Sequence, residues 1–145
     1  MKAIRHTGIT VSNLEQSLHF YCDLLDLRVV KEANEGGEYI SKLCSLPEDR
    51  ANIKTVKLAL DDTIVLELIW YEYYHDVLNV KCDIHFTRTC HMAFQVEDVE
   101  SEYRRLSNAG VEFLSEPQTS PDGYARVVFC KDPDGVFVEL VELRY

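Results

Sequence analysis

The chain has 145 residues, of which 46% are apolar. That is enough for one globular unit or two small packed modules with a core that needs no staples, and too little for a multidomain machine. Fifteen Lys and Arg against 25 Asp and Glu leave a formal charge of −10, and no basic run is offered to a phosphate backbone, so nucleic acid is not an expected partner.

The N-terminal segment Met1 to His6 has no apolar signal core, and the longest apolar stretches are strand-sized and broken by charge. A soluble, cytoplasmic protein with no membrane partner is expected. The five cysteines, Cys22, Cys44, Cys82, Cys90 and Cys130, are odd in number and form no C-x-x-C pair. They are expected to be reduced and mostly in the core, Cys90 included, because alternation sets it on the face opposite His91.

In chain order, His6-Thr-Gly-Ile-Thr-Val11 opens as a strand. Ser12 with Glu15 has the capping-box form, and Leu14, Leu18 and Tyr21 make an i, i+4, i+7 stripe that predicts a helix, with His19 off the stripe and facing solvent. Strand-like runs follow at about Arg28 to Ala33, Ile53 to Leu60 and Thr63 to Tyr71, with Gly36-Gly37 and Asp61-Asp62 as breakers. Residues about 76–87 read as a linker, and His75 and His85, lying in this region without a repeat partner, read as non-ligands.

His91-Met-Ala-Phe-Gln-Val96 then repeats the opening strand at an offset of 85 residues, and Val99, Tyr103 and Leu106 repeat the stripe at the same offset. Asp98 is the expected N-cap and Gly110 the C-terminal stop. Strands are expected at about Val111 to Leu114, Tyr124 to Cys130 and Val136 to Leu143, with turns at Ser120 to Gly123 and Asp132 to Gly135. The reading is α+β: a single domain over 1–145 made of two β-α-β-β-β modules, about 1–75 and about 88–145.

The repeat singles out four residues. His6 and His91 stand at equivalent points of the opening strands, and Glu67 and Glu139 at equivalent points of Val65-Leu-Glu-Leu-Ile69 and Phe137-Val-Glu-Leu-Val141. A glutamate between leucines in a strand is either turned to water on a half-exposed sheet or compensated by a charge or metal. Two imidazoles and two carboxylates make a mixed N/O donor set suited to a divalent ion with positions open to water or substrate.

These motifs, together with L-x-x-S-L-H-F-Y ahead of Leu24-Leu25, His91-M-A-F-Q-V-E-D-V and K-D-P-D-G-V-F-V-Glu139-L-V-E, resemble the vicinal oxygen chelate superfamily over nearly the whole chain. That superfamily includes glyoxalase I, methylmalonyl-CoA epimerase, fosfomycin-resistance enzymes, extradiol dioxygenases and bleomycin-binding proteins. The resemblance implies paired βαβββ modules forming a cupped mixed sheet, with His6, Glu67, His91 and Glu139 as ligands of one divalent metal: Zn, Ni, Co, Mn, Fe or Mg. It also implies a glyoxalase I-like lyase or isomerase acting on a small molecule through a metal-stabilised enediolate or enolate, with Glu139 and Glu67 as the candidate catalytic carboxylates, and a homodimer.

Glutamate at the second ligand position, Glu67, favours the glyoxalase type over the epimerase, which is expected to use Gln there. Thr10 and Tyr71 stand where bacterial glyoxalases tend to have the Arg and Asn that bind glutathione, and so depart from that pattern. An epimerase on a CoA thioester is the alternative, although a chain of −10 has no evident cradle for the CoA phosphates. A ring-cleaving dioxygenase would need only two His and one Glu, and metal-free drug-binding members usually lack the ligands kept here. Thr10, Tyr71 and Gln95 are candidate substrate contacts. Trp70, Tyr71, Tyr73 and Tyr74 read as an interface or pocket cluster, and Arg126 as a carboxylate grip or a surface charge.

Overall fold

The computed structural model describes residues 2–74 and 82–145, and the chain divides into two compact units, Met1–Leu78 and Asn79–Tyr145. Half of the expected linker, 76–81, lies outside the described residues, as does His75.

In the first unit β1 (Thr7–Thr10), β2 (Arg28–Glu35), β3 (Ile53–Leu60) and β4 (Thr63–Tyr71) form a mixed sheet of order β1-β4-β3-β2. Only the β1–β4 pairing is parallel, which a crossover makes possible and a hairpin would not. Helix α1 (Leu14–Leu18) supplies that crossover and runs into a π-helical turn, His19–Leu24. Its N-cap is Asn13, whose side chain accepts the Gln16 N–H at 3.1 Å, so the cap stands one residue beyond the expected Ser12.

The π turn also changes the buried stripe. Its wider step brings Phe20 in beside Tyr21, with Ser17 buried in the preceding turn, while Leu14 and Leu18 stay half-buried. His19 faces solvent as expected and bonds Asp23 at 2.8 Å.

Helix α2 (Gly37–Cys44) was not expected: Gly36-Gly37 reads as a breaker, yet Gly36 is the helix N-cap. A side chain at Gly36 would run into Asn52 and the Ala51 carbonyl, so the glycine permits the close approach of helix to strand. Ile40 of α2 is then buried with Ala51 and Ile53, against Ile69 and Tyr71, on the Glu67 face of the sheet. The opposite face carries Leu66, Leu68, Val56 and Leu58, all fully buried, and α1 packs on β4.

The second unit repeats the topology. β5 (His91–Gln95), β6 (Gln118–Thr119), β7 (Ala125–Lys131) and β8 (Phe137–Leu143) are ordered β5-β8-β7-β6, again with one parallel pair, β5 with β8. Helix α3 (Val99–Asn108) is capped by Asp98, which accepts the Ser101 N–H at 3.0 Å, and ends before Gly110 at φ +88°. Val99 and Leu106 are fully buried and Tyr103 stacks edge-on against Phe113, so this stripe is as expected.

The expected strand Val111 to Leu114 is reduced to a single bridge, Phe113 to Cys130, and the fourth strand lies at β6 instead. Pro117, which has no N–H to give a ladder, separates the two. The cysteines are all free, but only Cys130 is buried, and Cys82 and Cys90 are exposed. The expectation that they are mostly core fails: Cys90 precedes β5 and lies outside its pairing with β8, which starts at His91. Among the described residues no helix is long and apolar enough to cross a membrane.

Candidate functional site

Period-two alternation sets His6, Gly8 and Thr10 on one side of the first strand, and Glu67, Ile69 and Tyr71 on one side of β4. The parallel register, Gly8 to Glu67 and Thr10 to Ile69, puts these sets on a common face. His6 Nε2 stands 2.9 Å from Glu67 Oε2, with the two side chains 26% and 14% exposed. The glutamate is therefore neither turned to water nor left alone in the core. Its other oxygen, Oε1, lies 3.4 Å from Lys57 Nζ, and Lys57 sits directly opposite Glu67 on β3.

The second unit builds the same pair. Ala93 lies opposite Glu139 as Gly8 does opposite Glu67, so a small residue leaves each carboxylate uncovered. His91 Nε2 is 3.0 Å from Glu139 Oε2. The residue opposite Glu139 on the antiparallel side is Phe129, whose ring takes the His91 imidazole edge-on with centroids 5.2 Å apart. Lys57 and Phe129 are thus equivalents.

The four expected ligands therefore come as two pairs, and among the described residues no three His, Cys, Asp or Glu side chains converge. Each pair fits half of a divalent site. Two donor atoms each about 2.0–2.1 Å from one ion, at a right angle, would be about 3 Å apart, which is the spacing both pairs show. His6 Nδ1 is buried with no hydrogen-bond partner among the described residues, so of its two ring nitrogens only Nε2 is engaged there.

Of the expected substrate contacts, Thr10 and Gln95 are exposed at the far ends of β1 and β5. Tyr71 is half-buried, its hydroxyl 3.7 Å from Cys44 Sγ and its ring edge-on to Tyr74. Burial, then the Cys44 contact, pushes the Tyr71 phenol up, which favours its neutral form. Arg126 grips a carboxylate inside the protein, Glu100 of α3, at 2.6 Å. His85 is exposed beside Phe86.

Sequence reasoning missed Lys57. The signal was present, since Lys57 lies between Val56 and Leu58 as Glu67 lies between leucines, and Lys57 to Phe129 spans the same 72 residues as Glu67 to Glu139.

Residues 3–140 match the Glyoxalase/Bleomycin resistance protein/Dioxygenase superfamily. A probable lactoylglutathione lyase of Synechocystis sp. is 27% identical over 140 residues, covering 94% of this chain and 92% of that one. A lactoylglutathione lyase of Neisseria meningitidis serogroup A is 26% identical over 142 residues, covering 96% and 89%. Among solved structures, a glyoxalase family protein from Bacillus cereus superposes with a TM-score of 0.86 at 18% identity, covering 100% of this chain and 96% of that one. A trypanothione-dependent glyoxalase I of Leishmania major does so at 0.67 and 26% identity, covering 98% and 87%. The chain belongs to the Glyoxalase/Bleomycin resistance protein/Dioxygenase superfamily.

Proposed function

We propose that this protein is a divalent-metal-dependent lyase or isomerase of the glyoxalase type, with His6, Glu67, His91 and Glu139 as the metal ligands. The carrying observation is the repeated imidazole–carboxylate pair, 2.9 Å in one unit and 3.0 Å in the other, at equivalent strand positions. The lyase names of relatives at about 25% identity point the same way.

When bound, the ion supplies Lewis-acid stabilisation for negative charge developing on the oxygens of a small substrate with two vicinal oxygens. The proton falls to this chain's own carboxylates. Glu67 is engaged at both oxygens, by His6 and by Lys57, which favours a ligand's duty for it over a base's. Among the described residues Glu139 is engaged at Oε2 only, by His91, which leaves Oε1 available to take a proton from the substrate carbon and return it to the neighbouring carbon. Phe129 keeps the His91 ring in place and gives that side an apolar wall. Thr10, Tyr71 and Gln95, further along the same strands, contact the rest of the substrate. Thr10 and Tyr71 are small or aromatic where a glutathione-specific site would be cationic or amidic.

Elemental mass spectrometry of the purified protein tests this reading. About one divalent ion per chain is expected, lost in His6→Ala and Glu139→Ala, followed by turnover of a hemithioacetal or acyl-CoA ester that both variants lack. A wild-type protein that neither carries nor takes up a divalent ion overturns it.

A further inference from the structure

Lys57 is a half-buried ammonium, 23% exposed, on a strand whose neighbouring residues Val56 and Leu58 are fully buried. A lysine so placed does not serve solubility, and stripping its charge of water is costly without a counter-charge. Glu67 supplies part of that charge at 3.4 Å. The β2–β3 register sets Lys31 directly opposite Lys57, and Lys31 is exposed with no ion pair among the described residues. Like charges facing each other across a ladder destabilise it. The fold does not demand a cation here, since the equivalent position of the second unit is Phe129.

With neutral imidazoles, Glu67 and Glu139 together balance one divalent ion, so in a loaded site Lys57 still touches Glu67 Oε1 but adds one positive charge with no net counter-charge. An anion from outside then meets both demands at once, in a chain that is otherwise strongly acidic.

We propose that Lys57, backed by Lys31, is the specificity residue that binds an anionic oxygen of the substrate. The substrate class is then an acid whose carboxylate adjoins its vicinal oxygen pair. This rests on the metal-centre reading above.

The experiment titrates Co2+-loaded wild type, Lys57→Met and Lys57→Arg with oxalate and with acetohydroxamate by calorimetry. Both probes chelate through vicinal oxygens, but only oxalate carries the extra anionic oxygen. The Co2+ absorption spectrum reports metal occupancy independently. We expect Lys57→Met to bind oxalate about tenfold more weakly or worse and acetohydroxamate within about threefold of wild type, with Lys57→Arg retaining most of the oxalate affinity.

Unchanged oxalate affinity in Lys57→Met overturns the proposal. So do equal losses for both probes, which would make Lys57 a counter-ion of Glu67 and nothing more. A wild type that takes up no Co2+ overturns the metal centre, a failure distinct from bound Co2+ with no discrimination between the probes.

Discussion

Strands β4 and β8 carry the same pattern, a glutamate flanked by buried apolar residues and paired with a histidine from a parallel neighbour. The antiparallel neighbours differ, with Lys57 beside Glu67 and Phe129 beside Glu139. The repeat has kept the residues that would hold an ion and diverged in what stands next to them. One carboxylate is pinned by charge and the other is left with an apolar wall. A duplicated fold can thus assign different duties to two copies of one side chain by changing a single cross-strand neighbour.

The equivalence of the two sheets can be broken most sharply in their cores. Leu68 and Leu140 follow Glu67 and Glu139 by one residue, point to the opposite face, and are 0% and 1% exposed. Leu68→Ala and Leu140→Ala are each expected to cost about 2–5 kcal/mol in urea unfolding. A cost below about 1 kcal/mol for either would show that its sheet relaxes around the gap as the other does not.

The helix caps sharpen the contrast at a smaller scale. Asn13 caps α1 with a neutral amide, and Asn13→Ala is expected to lower stability by about 1 kcal/mol at any pH. At the start of α3 the partners are carboxylates: Asp98 accepts from the Ser101 hydroxyl and N–H, and Glu142 accepts from the Val99 N–H at 3.1 Å. The Ser101 hydroxyl, then the Ser101 N–H, holds Asp98 below the ordinary carboxylate range, and the Val99 N–H does so for Glu142, with Arg144 adding to it. A carboxyl whose pKa is lower in the folded state stabilises fully above its unfolded value, near 4, and loses that stabilisation as pH falls through the folded value. Denaturation midpoints measured from pH 6 down to pH 3 should therefore fall less steeply for Asp98→Asn than for wild type. Asn13→Ala should keep the wild-type slope.

The smallest effect is in thiol chemistry. Burial, with Asp132 nearby, pushes the Cys130 thiol up to about 12, so it should be the last to react with an aromatic disulfide reagent at pH 8. Cys82 and Cys90 are exposed and should react first. Early reaction of Cys130 would mean that the β7–β8 sheet opens under native conditions.

Much of this architecture was legible in the chain. Alternation and helical stripes are local consequences of backbone geometry, so β3, β4, β7, β8 and α3 lie where the pattern of apolar residues puts them. Helix α2 was hidden because Gly36-Gly37 has the composition of a turn, and only the close approach of Asn52 and Ala51 explains a glycine at that cap. The cap of α1 stands at Asn13, one residue past the capping-box position, because Ser12 and Asn13 are both capable acceptors and the backbone path decides between them. Val111 to Leu114 has strand-like residues but gains only one bridge, since pairing depends on a partner elsewhere in the chain.

The equivalence of His6, Glu67, His91 and Glu139 follows from the chain alone, because a period of two and a repeat offset are properties of the order of residues. Which residue stands across from each carboxylate depends on how the strands pair. Cross-strand register depends on long-range pairing and on irregularities such as those between Val29 and Lys31 and between Leu58 and Ala59, which no local pattern encodes. That register is what sets an ammonium beside one glutamate and a phenyl ring beside the other.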